Sequence, residues 1–171
     1  MNDTDQSKPE LVRDLMTVGV VTCLPDTPIE DIARIMLDSD IEAIVVLEEG
    51  NALGIIGQDE LIKAFTRPDH AHLTAEQILR EGVPQVPADI PLTAAAQYML
   101  DQKVRALFLM HHAAGIEYPA AIISYRHLLR VMAARNPNEL NDLGIDAERQ
   151  SPLETFLKRR DAARRNNRME K

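Results

Sequence analysis

The chain has 171 residues, 45% of them hydrophobic but only 4% aromatic and none of them Trp, a composition that excludes a disordered chain and calls for one aliphatic core. Its single cysteine, Cys23, excludes an intramolecular disulfide and any multi-cysteine zinc or iron–sulfur site, and favours a reducing, cytoplasmic setting. The formal charge of −8 divides unevenly, with net +5 over residues 158–171 and −13 on the rest, which excludes the body as a nucleic-acid surface because that binding neutralises phosphates.

Residues 1–8 are polar and acidic and read as a disordered start, unlike a secretory leader. No stretch approaches the roughly 18 apolar residues of a membrane span, so a soluble cytoplasmic protein is expected. Pro9 to Met16 is a short amphipathic segment. Val20 to Leu24 is β-branched and closed by Pro25-Asp26, a strand ending in a turn. Thr27-Pro28-Ile29-Glu30 then starts a helix, with Thr27 as the cap, Pro28 in the first helical position and Glu30 reaching back. Ile29, Ile32, Ala33, Met36 and Leu37 fall on one face, which must be buried. Ile41 to Leu47 is a nearly continuous apolar run, a strand covered on both sides. Glu49-Gly50-Asn51 turns the chain into an antiparallel strand through Leu53 to Gly57, and Asp59 and Glu60 open a helix through Phe65.

The pattern then recurs. Gly19 to Asp38 lies over Gly82 to Asp101 with Gly, Val, Asp, Pro, Ala and Met-Leu-Asp in register, and Ile41–Leu47 continues without a gap over Val104–Met110. Thr74 to Arg80 matches the amphipathic lead segment. The second copy carries a longer hairpin, His111 to Pro119, expected as a surface loop, before Ala120 to Ile123 and a helix from Arg126 to Ala134. Self-similarity of this kind defines the architecture: two pseudo-symmetric βαββα-type repeats packed as one α+β domain. The divisions are 1–8, disordered; 9–66, first repeat; 67–73, linker; 74–134, second repeat; 135–150, connector; and 151–171, a basic C-terminal helix or tail. In that tail Ser151-Pro-Leu-Glu154 is a capping box and Leu153, Phe156 and Leu157 form a narrow apolar stripe.

Val12-Arg13-Asp14-Leu15-Met16-Thr17, Pro25-Asp26-Thr27-Pro28-Ile29, Ile41-Glu42-Ala43-Ile44-Val45-Val46 and Gly54-Ile55-Ile56-Gly57-Gln58-Asp59-Glu60-Leu61, in this order and repeated, resemble the cystathionine β-synthase (CBS) domain pair, or Bateman module, over roughly residues 9–134. The resemblance implies clefts that bind adenosine-containing ligands (AMP, ATP or S-adenosylmethionine) and a homodimer shaped as a flat disc. It also implies a signature of Gly, two apolar residues, Thr, two variable residues and Asp, whose hydroxyl and carboxylate hold ribose and phosphate. This chain departs from that signature: Gly57 and Glu60 stand at the Thr and Asp positions of the first repeat, Ser124 and His127 at those of the second.

The charges also differ between the halves. Asp40, Glu42, Asp59 and Glu60 surround the first cleft, whereas Lys103, Arg105, Arg126 and His127 hold matching positions in the second. Phosphate needs cations or helix N-termini, so the second cleft is the expected ligand site: Ser124 as hydroxyl partner, Lys103, Arg105 and Arg126 toward phosphate, Val83, Pro84 and Leu107 against the base, and His127 at the Asp position. The alternatives are solvated surface charges and a Ser124 hydroxyl bonded to nearby backbone. Asp69-His70-Ala71-His72 and His111-His112 fall in expected loops without metal-site spacing, and no Lys-Ser/Thr follows the glycines as in a phosphate loop. With no nucleophile–base arrangement visible, the chain reads as a regulatory or sensing module and not an enzyme. It would bind an adenosine ligand and act on an unidentified regulated protein. The alternative is a homodimeric interaction module that binds no ligand, and the basic tail is the one part suited to nucleic acid or an anionic membrane.

Overall fold

The computed structural model describes residues 10–113, 115–136 and 139–142. The expected disordered start, most of the connector and the basic tail lie outside the described residues. The first repeat contributes α1 (Val12–Leu15), β1 (Thr17–Val18), β2 (Thr22–Cys23), α2 (Ile29–Asp38), β3 (Ala43–Glu48), β4 (Asn51–Gly57) and α3 (Gln58–Phe65). A 3₁₀ turn at His70–His72 leads to α4 (Ala75–Ile78), β5 (Arg80–Glu81), α5 (Leu92–Gln102), β6 (Ala106–Ala113), β7 (Ile116–Ser124) and α6 (Tyr125–Ala133), followed by α7 (Glu139–Asp142).

The strands form two sheets, ordered β1-β7-β6 and β2-β3-β4-β5. Each repeat therefore gives its first strand to the other. Thr17 and Val18 pair antiparallel with Ile122 and Ala121, and Arg80 pairs with Ile55. The lead helices cross with them. The N–H groups of Val12 and Arg13 donate to the carbonyls of Ile90 (3.0 Å) and Ala88 (2.9 Å), and the matching N–H groups of Ala75 and Glu76 donate to Thr27 and Pro25 (both 2.9 Å).

Alternation along β3 explains the layering. Ala43 and Val45 join Val20, Ile55, Phe108 and Ile122 in a core between the sheets, while Ile44 and Val46 turn the other way onto Ile32, Met36 and Ala75 beneath the first-repeat helices. An equivalent outer cluster in the second repeat holds Leu15, Met99, Leu107 and Ile123. Both faces of β3 are thus covered, as its unbroken apolar run requires, and each Ile, Val or Leu fully buried in these layers contributes about 1.5–3 kcal/mol relative to exposure.

Three local expectations are corrected. Leu37, expected on the buried face of α2, is exposed, and only Ile32 and Met36 of that face are buried. Helix α2 is capped by Pro28 in extended conformation and not by Thr27. The Thr27 hydroxyl instead accepts the Leu24 N–H (3.1 Å), closing the Pro25-Asp26 turn, and Glu30 pairs with Arg34 (2.6 Å) one turn on. The first hairpin turns on Glu49-Gly50, both at positive φ (50° and 85°), the turn that matches the twist of the flanking strands. In the second copy the extra residues lengthen the strands and do not form the expected loop, with His111 opposite Tyr118, His112 opposite Glu117 and Ala113 opposite Ile116. Cross-strand pairs hold the extension: the rings of His111 and Tyr118 stack at 5.8 Å, and the Glu117 carboxylate takes both His112 (3.1 Å) and the Gln85 amide (2.7 Å). Among the described residues no helix is long and apolar enough to cross a membrane.

Candidate functional site

The two signature positions sit where the last strand of each repeat runs directly into a helix. At the start of α6 the Ser124 N–H donates to His127 Nδ1 (3.1 Å), with the Ser124 hydroxyl at 3.0 Å from the same nitrogen. A backbone N–H can only donate, so Nδ1 is unprotonated and the ring proton lies on Nε2, which donates to the Thr17 hydroxyl (2.8 Å). Burial, reinforced by the neighbouring Arg130 and Arg126 charges, lowers His127 to about 4. Ser124 and His127, 4% and 8% exposed, therefore tie the exchanged strand β1 to α6. Helix α3 starts in the same way, the Gly57 N–H donating to Glu60 Oε2 (3.0 Å).

The charges that the sequence divides between two clefts meet across the seam between the repeats. Arg105 pairs with Asp59 (3.1 Å), and Arg126 pairs with Asp40 while its own N–H reaches Glu42 (3.3 Å). Glu42 matches Arg105 and Asp59 matches Arg126 in the repeat, so the two links are related by the internal pseudo-symmetry. The side chains of the Arg105–Asp59 pair are about half exposed (49% and 51%), and such pairs contribute about 0–1 kcal/mol. They span the seam without locking it.

The seam holds a cleft of about 30 Å³ lined by Glu42, Gly57, Asp59, Glu60, Lys103 and Arg105, with Arg80 at its edge. A water molecule fits that space; a nucleoside enters only if the repeats part. Of the expected ligand residues, the structure brings Lys103 and Arg105 together here. Arg126 lies at the paired edge. Leu107 is wholly buried in the outer core and Val83 packs against the central one, while the Pro84 carbonyl accepts the Phe108 N–H (2.9 Å).

Arg80 is a residue that sequence reading passes over. It lines the seam cleft and also a neighbouring groove of about 470 Å³ between α3 and α4, bordered by Lys63, Arg67 and Gln77. Its guanidinium donates to the carbonyls of Gln102 (3.0 Å) and Lys103 (3.3 Å) at the end of α5. Lys63, Arg67 and Arg80 come from a helix, a linker and a strand, so no periodicity in the sequence joins them.

A second surface is apolar. Leu37, Ile62 and Phe65, on α2 and α3, are 80%, 66% and 67% exposed, and Leu100, Leu129 and Met132, their counterparts on α5 and α6, 61%, 61% and 78%. The first set flanks a groove of about 660 Å³. Cys23 is buried, and burial pushes its thiol up from the ordinary value. Among the described residues no group of three His, Cys, Asp or Glu side chains could hold a metal ion.

Comparison with known proteins places this geometry. The CBS domain matches residues 12–67 and 75–134. An uncharacterized protein of Methanocaldococcus jannaschii, MJ1426, is 38% identical over 66 residues, a match covering 38% of this chain and 39% of the relative, so the shared stretch spans about two fifths of the curated relative's length. Among solved structures, the CBS-domain containing protein ATU1752 from Agrobacterium tumefaciens superposes with a TM-score of 0.65 at 23% identity, over 77% of this chain and 99% of the other. The CBS domain pair of protein MJ0100, in complex with 5′-methylthioadenosine and S-adenosyl-L-methionine, does so at 0.61 and 20%, over 72% and 99%. At these identities the structural likeness shows the fold.

Proposed function

The chain belongs to the CBS domain family and carries two of its domains, and from that premise we propose that it is a regulatory module binding an adenosine-containing ligand (AMP, ATP or S-adenosylmethionine) at the seam between its repeats. The observation that carries this reading is the closed seam cleft, spanned by an exposed ion pair and edged by cations of the second repeat. A ligand entering it must part Arg105 from Asp59, which costs little, and in doing so changes the angle between the repeats. Its higher affinity for the open form is what a regulated partner would sense. Lys103, Arg105 and Arg126 meet phosphate, and the half-buried Val83 and Pro84 meet the base, whereas Leu107, Ser124 and His127 are buried and do not line the seam cleft. The complex of the similar MJ0100 pair with adenosine-containing molecules supports the ligand class.

A thermal-shift panel of AMP, ADP, ATP, S-adenosylmethionine and NAD tests this. A ligand at a hundred times its Kd adds about 2.7 kcal/mol, so at least one compound is expected to raise Tm by several degrees, and Lys103→Ala with Arg105→Ala is expected to abolish the shift. A flat panel overturns the ligand reading.

The matched apolar faces favour a second role, as a homodimeric interaction module. Exposed apolar side chains of this size, repeated at corresponding positions of two helix pairs, mark a surface that a partner covers. Sedimentation equilibrium should show a dimer that becomes monomeric when Leu37→Asp and Leu100→Asp are combined. A wild-type chain that stays monomeric at micromolar concentration contradicts this role.

A further inference from the structure

We propose that the α3–α4 groove is an anion site that takes the outer phosphates of a nucleoside di- or triphosphate, so that the module distinguishes these from a monophosphate. The proposal rests on the seam reading for the position of the nucleoside. The groove, about 470 Å³, lies within the range of about 300–1,000 Å³ usual for small-molecule sites. It neighbours the seam cleft, and Glu60 and Arg80 line both. Three cations converge on it in a body that is otherwise strongly acidic. Among the described residues the Lys63 ammonium pairs with no carboxylate. Arg67 is held in place by Asp69 through both Nε (3.1 Å) and Nη2 (2.8 Å), and the same guanidinium lowers the Asp69 carboxyl. Arg80 is oriented by the α5 carbonyls. Glu60 is the one acid among the groove's lining residues, and its carboxylate turns back onto the Gly57 N–H, while Asp69 is engaged by Arg67. A monophosphate held at Lys103 and Arg105 stays within the seam, whereas a longer phosphate chain runs past Arg80 to Lys63 and Arg67.

Calorimetry with AMP, ATP and inorganic tripolyphosphate, on the wild-type chain and on Lys63→Ala/Arg67→Ala, tests this; both positions are exposed, and an unchanged unfolding transition confirms that the variant folds. The wild type is expected to bind ATP about tenfold or more tighter than AMP, the scale of one charge-assisted contact, while the variant binds both alike with AMP affinity unchanged. Tripolyphosphate is expected to bind the wild type in a salt-sensitive way and the variant not at all. ATP affinity equal in the two proteins overturns the groove and leaves the seam standing. Tripolyphosphate binding that depends on Lys63 and Arg67, without binding of AMP or ATP, overturns the seam and makes the groove a site for free polyphosphate. No heat with any of the three overturns both.

Discussion

Replacing Gly54 by Ala is expected to cost about 3 kcal/mol of stability or more, the upper end for overpacking a closely fitted site. Gly54 lies in β4 where β5 arrives from the other repeat, and a Cβ there would stand 2.2 Å from the Arg80 carbonyl oxygen and 2.8 Å from Leu79 Cδ1. The first of these atoms is backbone, fixed by the Ile55–Arg80 pairing and by the Gly82 N–H donating to the Leu53 carbonyl (3.0 Å). No rotamer relieves the clash; the exchanged strand itself must shift. Gly82 is the useful contrast. It holds φ 77°, and an added methyl group would meet nothing within 4 Å, so Ala there incurs only the left-handed backbone penalty of about 1 kcal/mol. Guanidinium unfolding of the two variants should therefore separate them by about 2 kcal/mol, and equal losses would mean that the β4–β5 junction is loose.

Acid is expected to weaken the fold through His127 well above the pH at which carboxylates titrate. In the unfolded chain this side chain takes up a proton near its ordinary 6.5, in the folded chain only near about 4. The unfolded state therefore binds more protons between these values. The contribution is complete above pH 6.5 and is lost as pH falls toward 4, a total of roughly 3 kcal/mol at about 1.36 kcal/mol per unit. The cause is geometric as well as solvational. A protonated ring would present an N–H where Nδ1 now accepts the Ser124 N–H, and the start of α6 would lose its cap. Denaturant midpoints at about pH 7.5 and about pH 5 check this, with His127→Gln as the control. Gln suits the same position of a capping box but does not titrate, so its midpoint should change much less over that interval. Parallel pH profiles for the two proteins would remove His127 as the cause.

The duplication was legible in the sequence because its carriers are local: Gly19 with Gly82, Pro28 with Pro91, and the apolar runs at Ile41 and Val104. The covering of β3 on both sides was legible for the same reason. The exchange of first strands was not, because Thr17–Val18 and Arg80–Glu81 are too short to carry a period and their partners lie across the repeat boundary, Thr17 pairing with Ile122. The polar His111, His112 and Glu117 hid the extension of the second hairpin, whose pairing depends on stacking and ionic contacts between strands. At the site the signs of the charges could be read, but their destinations could not. Arg126 meets Asp40, and His127 meets Thr17 110 residues away in sequence, and both pairings exist only once the repeats have packed.

That exchange also gives the fold an order in time. During synthesis Thr17 and Val18 emerge well before their partner strand β7, made at Ile116–Ser124. The sheet containing β1 therefore closes only after β7 is made, whereas the other can close once Arg80 has appeared. A single repeat of this kind lacks the strand that completes its sheet and could obtain it only by exchanging first strands with another copy. The seam between the repeats is thus built like an exchanged-strand subunit boundary held within one chain.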